Sequence, residues 1–376
     1  MKTILIVAGD PSGDLHGSHL ILALKRADAG LRVAAIGGPL MRRACDEFIE
    51  DLASRGVTGF WEPVTKIGFL VRLGMKIKRY LSERGPAAVI CIDYYGFNRR
   101  VLSLAKAAGV PAYYYISPQV WASRPGRVRV LKNLVRRMFV IFPFEEKLYR
   151  QAGVACTFVG HPLLDLLPAA RSAAKGVEAP LKVGLLPGSR ASEVARHLPV
   201  MMEAFKLLRH HFPDCKAWIF ASPGLDDATY KSALEDPAVD LCRETDYARR
   251  ATLDLCLCSS GTATLENALL GVPMVVMYKL SWPTYAIARA IIKVPYIAMA
   301  NLLAGRALVP ELIQRQATPE KVARAAVSLL EDPRRYRALR EDLLELRSLL
   351  GTPGAGERAA QEILGELALQ PAAARA

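Results

Sequence analysis

Short apolar runs alternate with helical patterns along this chain, and no other feature limits its fold so tightly. Residues 4–8, 33–37, 88–92, 112–116 and 138–142 are such runs, separated by segments with helical character. Continuous apolar stretches of this length suit strands buried on both faces. Strands separated by helices pair in parallel through crossovers, which cover both faces of the sheet. The rhythm stops over residues 168–180, an Ala-, Lys- and Gly-containing linker, and restarts at 182–186, 216–221, 253–258 and 273–278. After 182–186 a helix carries Val194, Leu198, Met202, Phe205 and Leu208 on one face. Thr318 and Pro319 read as the N-cap and first position of a late helix. With 376 residues there is room for two cores. The expectation is an α/β protein of two Rossmann-like, doubly wound domains, residues 1–168 and 180–345, facing a central cleft. A C-terminal helix and tail follow over 346–376. Ligands of such folds sit at the C-terminal ends of strands.

Three strand-to-helix turns are candidates for chemistry. The first, Gly9-Asp10-Pro11-Ser12-Gly13-Asp14-Leu15-His16-Gly17, lets the backbone approach a ligand closely or turn sharply. It has neither the GxGxxG spacing of dinucleotide binders nor the Lys of a P-loop, which disfavours NAD and ATP enzymes. It reads equally as a generic turn with the helix beginning near His19. His16 and His19 are spaced for a helix face, but no third metal ligand stands near them, so a surface or acceptor contact is the better assignment. The second turn is Leu186-Pro187-Gly188-Ser189-Arg190. Its unpaired amides and helix dipole favour an anion, and the Arg190 fork suits a diphosphate. The third is Cys258-Ser259-Ser260-Gly261-Thr262-Ala263-Thr264-Leu265-Glu266. Its amides and hydroxyls can hold phosphate, and Glu266 can accept from ribose hydroxyls. The plainer alternative makes these residues helix caps.

The charge excess, 50 Lys plus Arg against 36 Asp plus Glu, points to anionic partners. From residue 63 to 82 there is no acid, while Lys66, Arg72, Lys76, Lys78 and Arg79 mix with Ile67, Phe69, Leu70, Leu73, Met75 and Ile77. That suits a helix in an anionic lipid interface, or a core-facing helix with a solvated basic face. Residues 124–137 form a second basic run: Arg124, Arg127, Arg129, Lys132, Arg136 and Arg137. Nucleic acid is set aside, because no known motif and no interleaved aromatics accompany these runs. The seven cysteines are scattered; Cys256 and Cys258 have no further ligands nearby and read as buried thiols in a reducing compartment. No apolar stretch reaches the roughly 18–20 residues of a membrane span, and the first apolar run is too short for a signal peptide.

Taken in order, several segments resemble the lipid-A-disaccharide synthase family. They are Ser12-Gly13-Asp14, Ser117-Pro118-Gln119-Val120-Trp121-Ala122, Pro143-Phe144-Glu145, Phe158-Val159-Gly160-His161-Pro162, Leu185-Leu186-Pro187-Gly188-Ser189-Arg190, Ser260-Gly261-Thr262-Ala263, Pro273-Met274-Val275-Val276 and Asn301-Leu302-Leu303-Ala304-Gly305-Arg306. The resemblance covers nearly the whole chain. It implies a glycosyltransferase-B fold and an inverting transfer of 2,3-diacylglucosamine from UDP to 2,3-diacylglucosamine 1-phosphate (lipid X). The products are a β-1,6 disaccharide and UDP, with no metal or other cofactor. It implies work at the cytoplasmic face of the inner membrane, with an anionic surface met through 63–82 and 124–137; a homodimer is left open.

For the donor the resemblance implies Gly188, Ser189, Arg190, Ser260, Gly261, Thr262, Glu266 and Asn301. For the acceptor it implies Ser12, Gly13, Asp14, Asn98, Ser117 and Gln119. The family commonly carries Asp-x-Pro-Asp-Phe-Asn, whose second Asp is the favoured catalytic residue. Here the segment is Asp93-Tyr94-Tyr95-Gly96-Phe97-Asn98, so Gly96 stands where that Asp would be. Asp10-Pro11 likewise replaces the usual Glu-Thr. Asp93 is therefore the expected base, with Glu62 and His16 behind it, and Arg190 the group that stabilises departing UDP. Two rivals share the fold: a UDP-sugar epimerase, and a non-catalytic UDP- or lipid-binding protein.

Overall fold

The computed structural model describes residues 2–54, 67–123, 126–168, 176–177, 179–291 and 294–369. Glu62, residues 63–66 and Arg124 lie outside them. The chain divides into two compact units, Met1–Asp165 with Leu350–Ala376, and Leu166–Leu349.

The first unit is built on seven parallel strands: β1 (Thr3–Ala8), β2 (Arg32–Gly37), β3 (Glu47–Asp51), β4 (Ala88–Ile92), β5 (Ala112–Tyr115), β6 (Arg137–Val140) and β7 (Cys156–Phe158). Their order is β3-β2-β1-β4-β5-β6-β7. The central strands are the apolar runs of the sequence, and Ile4 to Ala8 are wholly buried. The second unit has six parallel strands: β8 (Lys182–Leu186), β9 (Lys216–Ala221), β10 (Val239–Arg243), β11 (Leu255–Cys258), β12 (Met274–Tyr278) and β13 (Glu311–Ile313), in the order β10-β9-β8-β11-β12-β13. Both sheets thus reverse direction of growth once, between β1 and β4 and between β8 and β11. A crevice opens at such a switch point, beyond the strands' carboxyl ends. The register pairs Ala8 with Ile92 and Leu186 with Cys258, which sets the Gly9 turn beside Asp93 and the Pro187 turn beside Ser259.

Two boundaries differ from expectation. The first helix runs Pro11–Ala27 rather than starting near His19. Asp10 is its N-cap, accepting from the Gly13 amide at 2.6 Å, and Pro11 sits in its first turn, so the Gly-rich segment is already helix. The segment after 345 does not stand apart: 346–349 close helix Pro333–Leu349 of the second unit, and Leu350–Ala376 belongs to the first. Helix Ala355–Ala368 packs on helix Pro11–Ala27. Its Glu366 accepts from Tyr113 OH at 3.1 Å, Arg136 Nε at 2.7 Å and Arg137 Nε at 2.5 Å. Two cations of the second basic run are thereby committed inside the protein. No helix among the described residues is long and apolar enough to cross a membrane.

Candidate active site

At the first switch point the backbone is strained. Asp93 and Tyr94, directly after β4, both have left-handed conformations, with φ of 40° and 46°. Such residues persist only where their surroundings hold them. Asn98 Nδ2 donates to the carbonyls of Ile92 (3.0 Å) and Asp93 (2.8 Å), and Tyr114 OH donates to the same Asp93 carbonyl. The Tyr94 ring lies on Gly9, where a Cβ would come within 2.0 Å of it, so only glycine fits there.

Among the described residues, no cation is among the groups that perturb the carboxyls gathered here. Burial, with Asp10 and Glu145 adding repulsion against the Tyr94 amide, raises Asp93 to about 7. Burial raises Asp10 also, opposed by the Gly13 amide. Burial raises Glu145 to about 7, although it accepts from Ser117 Oγ (2.6 Å), Trp121 Nε1 (3.1 Å) and the Phe142 amide (3.2 Å). The Ser117–Trp121 segment and the Pro143-Phe144-Glu145 segment thus meet at one carboxylate. His16 is lowered by burial and by His19 to about 4, and His161 by burial and His16 to about 3, so both are neutral at pH 7. His16 Nδ1 is buried without a partner among the described residues.

The second switch point is rich in donors and matched charges. Gly188 has φ of 125°, and the Pro187-Gly188-Ser189-Arg190 turn leads into helix Ala191–His211. Glu193 accepts from the Ser189 amide (3.1 Å), Arg190 Nη1 (2.8 Å) and Tyr278 OH (3.1 Å). His197, wholly buried, contacts the Pro187 carbonyl through Nδ1 at 2.7 Å and accepts from the Lys279 amide through Nε2 at 3.0 Å. With Nδ1 as its protonated nitrogen, it ties the turn to the end of β12. Helix Thr262–Leu269 starts at Gly261, φ 138°, with no side-chain cap; the Thr264 amide donates to the Gly261 carbonyl at 3.1 Å, which leaves the Thr262 and Ala263 amides for an anion. Ser260 Oγ donates to the Ile297 carbonyl at 2.7 Å. Behind these turns Arg250 is wholly buried, donating to Glu266 Oε2 at 2.6 Å and Asn267 Oδ1 at 2.7 Å, while Tyr247 OH reaches Glu266 Oε1 at 3.1 Å. Glu244 nearby is raised to about 7 by burial and by Glu266.

Residues 4–363 match the family model described as lipid-A-disaccharide synthetase. The lipid-A-disaccharide synthases of Syntrophus aciditrophicus and Geobacter metallireducens are 43% and 41% identical to it over 96% of this chain, and the match spans 96% and 97% of their lengths. The chain belongs to the lipid-A-disaccharide synthase family. It is a glycosyltransferase. Among solved structures, a Staphylococcus aureus MnaA–UDP complex aligns over 98% of both chains with TM-score 0.68 and 12% identity. The glycotransferase of kitacinnamycin aligns over 97% of this chain and 98% of its own, with TM-score 0.62 and 18% identity. Identities this low speak for the fold alone, which is of the glycosyltransferase-B type. The epimerase rival keeps a likeness of fold to solved UDP-N-acetylglucosamine 2-epimerases and nothing more.

For a synthase of this family the site residues named from sequence separate into reachable and buried ones. Ser12, Gln119, Gly261 and Thr262 are exposed, and Arg190 is largely so. Several expected ligand contacts are instead used internally. Asp14 accepts from the amides of Gly38 (2.8 Å), Leu40 (3.0 Å) and Met41 (3.0 Å), anchoring the turn after β2. Asn98 and Ser117 are buried in the contacts above. Asn301, expected at the donor, is wholly buried with all its donors and acceptors engaged: Nδ2 to Val309 O and Glu311 Oε1, Oδ1 from the Leu308 and Val309 amides. These bonds tie Asn301 to the loop that leads into β13. Glu266 is held by Arg250 and Tyr247, with lone pairs left for a ribose hydroxyl. His16 is a buried imidazole, lowered to about 4 by burial and by His19. Glu193, His197 and Arg250 were not singled out from sequence, and Glu145 was quoted only within its segment, without a role. Of the first three, only Glu193 carried a usable signal, an acid in the first helical turn after Arg190.

Proposed function

We propose that this chain transfers 2,3-diacylglucosamine from UDP to the 6-hydroxyl of lipid X, with inversion and without a metal. Asp93 takes the proton of the acceptor hydroxyl, and Arg190 with the Gly261–Thr262 helix start receives the charge that develops on UDP. The observation that carries this is the buried Asp93 carboxyl, raised to about 7 at the first switch point, where a base must be poised near the working pH. The donor turn supplies positive charge from a guanidinium and helix amides, so no Lewis acid is called for. A water-excluding approach of acceptor to Asp93 converts a weak carboxylate base into an effective one.

Both lipid substrates reside in a bilayer, and we place the enzyme on an anionic cytoplasmic surface. Helix Ile67–Arg84 buries Leu73, Ile77 and Leu81 yet exposes Ile67 and Met75 among Arg72, Lys78 and Arg79. In the second unit Trp282 and Ile287 are exposed on helix Trp282–Ile291, within a stretch free of acids from Asn267 to Pro310. Such mixed apolar and basic faces bind anionic lipid.

The deciding measurement is UDP release with and without a phosphorylated acyl-glucosamine acceptor. Acceptor-dependent release with disaccharide formation is expected. Epimer formation without acceptor, or binding without turnover, would replace this function with one of its rivals.

A further inference from the structure

The diphosphate turn is folded around a carboxylate. Glu193 takes the Ser189 amide on one oxygen and Arg190 together with Tyr278 OH on the other. A Cβ on Gly188 would come within 2.6 Å of Glu193 Oε2, so the positive-φ glycine and the acid fit as a pair. Glu193 is nearly buried, with 12% of its side chain exposed, whereas Arg190 is 56% exposed. One Arg190 N–H is spent on this contact, and its remaining donors are engaged by no described residue. An unheld arginine side chain samples many rotamers and must be ordered when a ligand arrives. Here the ordering is done beforehand. The Tyr278 hydroxyl, delivered from the end of β12, holds the carboxylate from its other side, so the acid is itself fixed.

We propose that Glu193 is a positioning residue for transfer, holding the Arg190 guanidinium, on a turn it also pins through the Ser189 amide, in the geometry that receives the donor's diphosphate. This rests on the assignment of that turn to the diphosphate. The opposing effect is repulsion between the Glu193 charge and the incoming phosphates. The ion pair offsets it, because Arg190 faces the Glu193 charge at 2.8 Å while its other N–H groups are engaged by no described residue. Preorganisation is therefore the larger effect.

The test uses the full-length chain with Glu193→Ala, Glu193→Gln, Arg190→Ala and the Glu193→Ala/Arg190→Ala pair. UDP affinity is read by calorimetry, kcat and donor KM with substrates in mixed micelles, and folding by thermal unfolding. Arg190→Ala is expected to lower kcat roughly a hundredfold, the scale of one lost charge-stabilising donor. Glu193→Ala should weaken UDP roughly three- to tenfold and lower kcat more than it raises KM. Glu193→Gln, which keeps an oxygen for the Ser189 amide, should recover part of the loss. In the Arg190→Ala background, removing Glu193 should change UDP affinity by less than about twofold, since its effect passes through the guanidinium. Tighter UDP binding by Glu193→Ala, or an equal loss with and without Arg190, overturns the proposal. Wild-type chain that fails to bind UDP overturns the assignment of the turn itself.

Discussion

The two switch points share one strand order and differ in how they treat buried charge. Around Asp93 the first unit gathers Asp10 and Glu145 with no cation among the groups that perturb Asp93, and its acids respond by holding protons up to about 7. In the second unit Glu266 is more deeply buried than Asp93, but Arg250 lies 2.6 Å from it. Burial without compensation gives a group whose protonation changes near neutral pH. Burial with compensation gives fixed charges and fixed geometry. The first arrangement suits a proton acceptor, the second a scaffold that grips an anion. Topology alone distinguishes neither, since both crevices arise from the same order of strands.

Removing one charge on each side, the acid Asp93 and the cation Arg250, should move stability in opposite directions. Asp93→Asn is expected to cut turnover by about 10²–10⁴-fold, the range for a general base. It should also stabilise the protein. The folded carboxyl at about 7 lies above its unfolded value, so between about pH 4 and 7 the folded state keeps a proton that the unfolded chain has released. Stability therefore falls as pH rises through that window, and the whole penalty is present above it. Asparagine has no such penalty, and at pH 8 the variant should gain roughly 1–3 kcal/mol in urea unfolding. A shallower but persistent pH slope should remain from Glu145. An Asp93→Asn enzyme with normal turnover would move the base elsewhere.

Arg250→Met attacks the compensated side. Glu266 would be left buried with only Tyr247 OH, and losing one partner of a buried pair costs about 3–5 kcal/mol. Turnover of the fraction that stays folded should change far less than in Asp93→Asn. Adding Glu266→Gln should restore most of the stability, because the stranded charge is then gone. A single variant that unfolds like wild type at pH 7.5 would show that water, not Arg250, solvates Glu266.

Legibility in the sequence followed burial. The strands read from apolar runs are the interior ones of each sheet, because a strand covered on both faces must be apolar throughout. The four that went unread, β3, β7, β10 and β13, are the two edges of each sheet. Their residues are largely half-exposed, as in Glu47–Asp51 and Glu311–Ile313, so the pattern that marks a buried strand is lost. The helix at Pro11 was masked by its own glycines, whose poor helix propensity outweighed the Asp10-Pro11 start signal. For the site, residues at the turns were visible because turn chemistry is local. Arg250 was not, since Arg249 beside it is exposed and its partner Glu266 lies in another helix. Asn301 shows the converse: its motif was legible, but a motif does not say whether a side chain faces the ligand or the loop that carries it.

The finest contrast concerns Gly96, where the family's second Asp is missing. It is exposed in the first turn of helix Tyr95–Ala107, and a Cβ added there meets nothing within 4 Å. Gly96→Asp should therefore fold. A carboxylate in the first turn of a helix and a better helix former than glycine together stabilise by about 0.5–1 kcal/mol. The new charge is exposed, so unlike Asp93 it should titrate in the ordinary carboxylate range, while raising Asp93 further by repulsion. The activity profile should then shift toward higher pH, with turnover changed by less than about tenfold. Placed on Asp93→Asn, Gly96→Asp should restore part of the lost turnover if the acceptor hydroxyl lies within reach of both positions. A folded double variant as inactive as Asp93→Asn would show that only the strained, buried carboxyl meets the acceptor, and that this chain has moved its base into the strand end.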